Sequence, residues 1–159
     1  MAILTRRTAI GASAGAAGLV GLAQAAAPGG DARTKALDQH IERYEPSPSL
    51  PGVPLISYAV AHRDIVYLSG ITATKSGDVK DQTRQILARI DDLLAKAGSN
   101  KSKLLTAQVW LTDMSLFAAH NDAWNEWVDP KNPPARACLL STQLWHPGLL
   151  VEIMATAAI

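Results

Sequence analysis

The order of helical and strand-like stretches along this chain predicts an α+β domain, and three observations carry that expectation. Residues 55–61 and 65–71 are β-branched and aromatic runs split by His62-Arg63-Asp64, which reads as a hairpin. Residues 82–97 place Ile86, Leu87, Ile90, Leu93, Leu94 and Ala97 on one helical stripe, so one side of that helix must lie on a sheet. Residues 104–112 change to a period of two, with Leu105, Ala107, Val109 and Leu111 on one face and Thr106, Gln108 and Trp110 on the other. That alternation marks a strand with one buried side.

From the N-terminus, residues 1–27 read as an export signal. Arg6-Arg7 precedes an uncharged Ala/Gly-rich run that ends in Ala25-Ala26-Ala27, a small-residue cleavage pattern. The pair of arginines before a weakly apolar run resembles a twin-arginine signal, and the run is short for a membrane anchor. The expectation is a mature chain in a bacterial periplasm, free of the membrane once the signal is cleaved. Residues 28–54 read as an extension: a short helix over 32–45, with Leu37 and Ile41 at i, i+4, then a proline-rich extended stretch. The folded domain is expected over 55–159.

Within it, Leu68-Ser69-Gly70 closes the second strand, and Gly70 permits close approach of a ligand or another backbone. Lys75-Ser76-Gly77-Asp78 is a polar turn, Asp81 a candidate N-cap for the first helix, and Gly98 its stop. Asp113 can cap a second helix over 114–128 that turns Phe117, Trp124 and Val128 inward. The Trp124 and Trp127 pair suits core or interface packing. Two further strands, 136–144 and 149–155, are joined by Trp145-His146-Pro147-Gly148 and read as a second hairpin.

Composition narrows the chemistry. A net charge of +1 and a pI near 7.9 argue against a nucleic-acid binder. The single cysteine excludes an intramolecular disulfide and a multi-cysteine zinc site, and His40, His62, His120 and His146 lack ligand spacing, so no metal is expected. No cofactor is expected either, for the chain has neither GxGxxG nor a phosphate loop.

The candidate working centre is Asn132-Pro133-Pro134-Ala135-Arg136-Ala137-Cys138. The prolines stiffen the lead-in to a strand on which Arg136 and Cys138 share a face. A fixed guanidinium suits a carboxylate ligand, since its fork donates two parallel hydrogen bonds; an ordinary structural ion pair is the alternative. Glu152 lies in the apolar last strand between Leu150 and Met154. Either it pairs with Arg136 across adjacent antiparallel strands, or both face a pocket where it handles a proton or a water.

Tyr67-Leu68-Ser69-Gly70, the helix ending Leu94-Ala95-Lys96-Ala97-Gly98, Val109-Trp110-Leu111-Thr112-Asp113-Met114 leading to Phe117 and Asn121, Pro134-Ala135-Arg136-Ala137-Cys138, and Leu150-Val151-Glu152-Ile153 together resemble the RidA family, also called YjgF/YER057c/UK114. The resemblance implies a mixed sheet backed by two helices, similar to the chorismate-mutase fold, in a homotrimer with clefts between subunits. It also implies cofactor-free hydrolysis of enamine/imine acids such as 2-aminoacrylate to 2-keto acids and ammonia. By the same resemblance Arg136 binds the substrate carboxylate with Cys138 beside it, and Glu152 positions or activates water. Ser69, Gly70, Asn121 and Tyr58 line the pocket. No histidine adjoins Cys138 in sequence, which favours pocket lining over a nucleophilic role. The competing expectation is a non-catalytic trimer that binds a small carboxylate or a protein. A ribonuclease fits poorly with the near-neutral charge.

Overall fold

The structure is a computed structural model that describes residues 41–159; the expected export signal and the first part of the extension lie outside the described residues. Its elements are β1 (Ile41–Pro46), β2 (Ser57–His62), β3 (Ile65–Leu68), β4 (Ile71–Thr72), α1 (Val79–Lys96), β5 (Leu104–Leu111), α2 (Phe117–Trp127), β6 (Ala135–Leu140) and β7 (Val151–Ala158). Seven strands make one mixed sheet in the order β1-β2-β3-β7-β5-β6, with β4 also on β7. The expected hairpin is present as β2 and β3, with Arg63 in the left-handed region at its turn (φ 55°).

The stripe of α1 sets one face of the sheet. Ile86, Leu87, Ile90, Leu93 and Leu94 are buried there with Val109, Val151, Ile153 and Ala157. Each of the Val, Ile and Leu side chains contributes roughly 1.5–3 kcal/mol by leaving water. The helix begins earlier than the pattern suggested: Asp78, not Asp81, is its N-cap and accepts from Asp81 N at 2.9 Å. It ends in a Schellman arrangement, Ser99 N to Leu94 O (2.8 Å) and Gly98 N to Ala95 O (3.1 Å), with Gly98 at φ 76°.

Four other expectations are corrected. Residues 41–45, expected to end a helix in the extension, form most of edge strand β1, antiparallel to β2. Unpaired edge groups of β2 supply a hydrogen-bonding partner there, and Glu45, at φ 46°, reaches across to Arg89 and Lys96 of α1. In β5 a register shift between Leu104 and Thr106 turns Leu104 into the core and leaves Leu105 exposed. In α2 the inward residues are His120, Ala123 and Trp124, whereas Phe117 is exposed.

The second hairpin does not form. β6 pairs with β5 in parallel, β7 pairs with the other edge of β5 antiparallel, and β5 separates them. The reason lies in the connection through α2: a strand, a helix and a strand returning to the same sheet give a parallel pair. Buried Gln82 holds the 141–150 crossing in place, its Nε2 donating to Gly77 O and Gly148 O while its Oε1 accepts from Leu150 N, at 2.9–3.1 Å.

Candidate functional site

Arg136 is the second residue of β6, just past Pro133-Pro134. Its register opposite Ala107, and that of Cys138 opposite Val109, place both side chains on the helix-backed face, as expected. There α2 presents His120 and Trp124, one turn apart. Arg136 Nη2 lies 2.6 Å from His120 Nε2, and the guanidinium carbon sits 4.8 Å from the Trp124 ring centroid, a cation–π distance. Trp124 in turn meets Trp127 edge-on at 5.5 Å.

No carboxylate pairs with Arg136 among the described residues. Among the described residues, a structural ion pair is therefore not what holds it. Burial pulls the guanidinium below its ordinary range, with Cys138 acting the other way. The buried side-chain polar atoms left without a partner among the described residues are Arg136 Nε and Asn121 Oδ1. Unsatisfied groups of this kind are rare in folded proteins, and here both belong to β6 and the helix packed on it. Burial raises the Cys138 thiol, against the opposing pull of Arg136, so it stays protonated near neutral pH and suits a lining role.

Glu152 stands elsewhere. It is opposite Trp110 on β5 and Thr72 on β4, while its neighbours Val151 and Ile153 are fully buried toward the helices. It therefore projects from the opposite face of the sheet, and a pairing with Arg136 across adjacent strands is excluded by both strand order and face. Burial raises its carboxyl above the usual range. Gly70 makes room for it: an ideal Cβ there would overlap Glu152 Oε1 and lie 2.9 Å from Cδ. The close approach expected of Gly70 is thus made by a carboxylate. Ser69 precedes it, its N–H bonded to Tyr58 O at 3.0 Å. Tyr58 is the second residue of β2, with the Arg89 guanidinium 5.5 Å from its ring centroid.

The chain thus carries two clusters. Arg136, Cys138 and His120 form one, with Asn121 next to His120 on α2; Glu152, Gly70 and Ser69 form the other, while the Tyr58 ring packs on the core beside Arg89 of α1. A hollow of about 250 Å³ between the helices, lined by residues including Asp91 and Trp127, contains neither. Sequence reasoning missed His120, because histidines were weighed only as metal ligands and as sequence neighbours of Cys138. Its position four residues before Trp124, on the inward side of α2, was the available signal: a polar ring there needs a partner.

A model of the family described as endoribonuclease L-PSP matches residues 51–159. The chain is 41% identical over 119 residues to a RutC family protein of Haemophilus influenzae, a match that spans 74% of this chain and 97% of that protein. It is 40% identical over 103 residues to RutC family protein YoaB of Escherichia coli, with 65% and 90% covered. Its fold is similar to that of NMB1025, a YjgF family member from Neisseria meningitidis (TM-score 0.69, 34% identity, 76% of this chain and 95% of that one). It is also similar to Rv2704 of Mycobacterium tuberculosis, from the YjgF/YER057c/UK114 family (TM-score 0.65, 26% identity, 76% and 100% covered). With the fold and most of the length of these proteins in common, the chain belongs to the RidA, or YjgF/YER057c/UK114, family, the one described as endoribonuclease L-PSP.

Proposed function

We propose that this protein hydrolyses small enamine/imine acids, such as 2-aminoacrylate, to 2-keto acids and ammonia. The observation that carries the reading is Arg136: a half-buried guanidinium, stacked on Trp124, hydrogen-bonded to a histidine and paired with no carboxylate among the described residues. A cation removed from water without a counter-charge favours an anionic ligand, and a planar carboxylate matches its fork.

In the reaction the enamine takes a solvent proton at carbon to become the iminium. Water adds to its carbon while Glu152 accepts a proton from that water; Glu152 then returns the proton to the carbinolamine nitrogen, the C–N bond breaks to release ammonia, and the hydroxyl gives up its proton to solvent to leave the keto acid. Burial raises the Glu152 carboxyl, which makes it a better proton acceptor than an exposed carboxylate. Because Arg136 and Glu152 occupy opposite faces, the reading includes a homotrimer in which Arg136 of one copy meets Glu152, Ser69 and Gly70 of the next. In support, the Glu152 face carries half-exposed Tyr67 and Leu139 beside Trp110, Met154 and Thr156, a surface suited to another copy. The reading also includes export, on the strength of Arg6-Arg7 and the run after it.

Purified protein supplied with enzymatically generated 2-aminoacrylate should speed keto-acid release, and Arg136→Ala should abolish the effect. Wild-type protein inert toward a panel of such imines would overturn the reading. One observation favours a second reading, a carboxylate-binding protein without turnover: among the described residues no carboxylate pairs with Arg136, and Glu152 projects from the opposite face. Ligand binding through Arg136 without turnover, unaltered in Glu152→Ala, would establish that reading instead.

A further inference from the structure

A fully buried histidine that touches the key arginine is a group the proposed chemistry leaves unused. The hydrogen bonds around it fix its state. Thr83 Oγ1 lies 2.6 Å from Val79 O, a carbonyl that only accepts, so the single hydroxyl proton of Thr83 is directed there. The same oxygen lies 2.9 Å from His120 Nδ1 and must therefore accept from it. Nδ1 then carries the ring proton, Nε2 presents a lone pair, and Arg136 Nη2 donates to it at 2.6 Å. The chain Val79 O, Thr83 Oγ1, His120 Nδ1, His120 Nε2, Arg136 Nη2 runs in one direction from α1 through α2 to β6. An imidazolium would set an N–H against an N–H of the guanidinium, so the neutral ring alone fits.

We propose that His120, locked by Thr83 as the neutral Nδ1–H tautomer, is the positioning residue of Arg136 and makes it a carboxylate clamp with its charge unspent. The choice of a neutral acceptor is the point. A carboxylate in place of His120 would orient the guanidinium equally well, but it would neutralise the positive charge that an anionic ligand needs. An uncharged ring nitrogen fixes the rotation of the fork through one N–H. Trp124 supports its plane, and among the described residues the Nη1 hydrogens and the second Nη2 hydrogen have no protein partner. The specificity that follows is for a compact planar monoanion next to the reacting carbon. This inference rests on Arg136 as the anion clamp, but not on turnover.

The test combines imidazole nitrogen NMR with titration of the purified protein by pyruvate, an unreactive acid of the product class. At pH 7 the spectrum of His120 should show a protonated Nδ1 and an unprotonated Nε2. His120→Leu should weaken pyruvate binding about tenfold or more, the loss of one hydrogen bond to a charged group. His120→Gln, whose Oε1 can take the place of Nε2, should recover most of it. Thr83→Val, nearly isosteric and remote from the ligand, should also weaken binding and disturb the two nitrogen signals of His120. An Nε2–H tautomer or an imidazolium at pH 7, unaltered pyruvate affinity in His120→Leu, or no pyruvate binding by the wild type would each overturn the inference. Pyruvate binding that depends on His120 in a protein inert toward imines would sink the deaminase reading and leave this one standing. Turnover with the same KM in His120→Leu would do the reverse.

Discussion

Arg136 and Glu152 project from opposite faces of one sheet, with β5 between their strands. A single chain therefore presents, on one side, a guanidinium with no carboxylate partner among the described residues and, on the other, a carboxylate raised by burial. For the two to act on one small molecule, the clamp of one copy must meet the carboxylate of another. Under the proposed function, contact between copies is a chemical requirement of the site.

Arg136→Ala should lower kcat/KM toward imino acids by at least about a hundredfold, the loss of a bidentate charged contact. The melting temperature should hardly fall, because the guanidinium is desolvated without a counter-charge. Arg136→Lys keeps the charge but not the fork and should recover only a minor part. Steady-state kinetics with thermal melts check this; full activity in the lysine variant would show that geometry is unimportant.

Gly70→Ala should leave the domain folded and disable it. The new methyl would occupy the space of Glu152 Oε1, the far end of a flexible side chain, so the carboxylate turns away at small cost to stability. A tenfold or greater fall in turnover with an unaltered circular dichroism melt is the expected pair of results. Equal activity would mean that Glu152 acts from another rotamer.

Acid should destabilise the fold through His120. Burial first, and Arg136 second, lower its pKa from 6.5 to about 4. Between those values the unfolded chain binds a proton that the folded chain does not, so stability is complete above about pH 6.5 and falls as pH drops toward 4. The shift corresponds to roughly 3 kcal/mol at most. Arg136 is the charged group facing the ring; Lys80 and Asp122 pair with each other at 2.8 Å on the exposed side of the same helices. Glu152, raised by burial, gives the opposite slope and is common to any His120 variant. Denaturant melts at pH 7 and 4.5 should show a smaller loss in His120→Gln than in the wild type. Parallel losses would contradict the assignment.

Glu45→Ala should loosen β1 without touching the core. Glu45 ties this edge strand to Arg89 and Lys96 of α1, and those contacts hold its carboxyl at about 2. Hydrogen exchange should accelerate in Ile41–Pro46 while Leu93 and Leu94 stay protected.

What sequence alone revealed follows from the range of each interaction. The stripe of α1, the Gly98 stop and the β2–β3 hairpin are local patterns, and all three stand in the structure. The shared face of Arg136 and Cys138 needs only the period of a strand, and it was legible too. The fate of β6 and β7 was not. Strands adjacent in sequence were read as a hairpin, and only the helix between β5 and β6 hinted that the pairing would be parallel. Leu104 and Leu105 exchanged roles through one irregular residue that alternation cannot reveal. His120 escaped because its partners, Thr83 and Arg136, lie 37 and 16 residues away.

The most direct test of the shared site is to unfold Arg136→Ala and Glu152→Gln together and refold the mixture. Each variant alone should be inactive. If each site takes its arginine from one copy and its glutamate from another, random assembly restores about a quarter of wild-type activity, since half of the copies supply each intact group. A refolded mixture no more active than its separate components would contradict a site shared between copies.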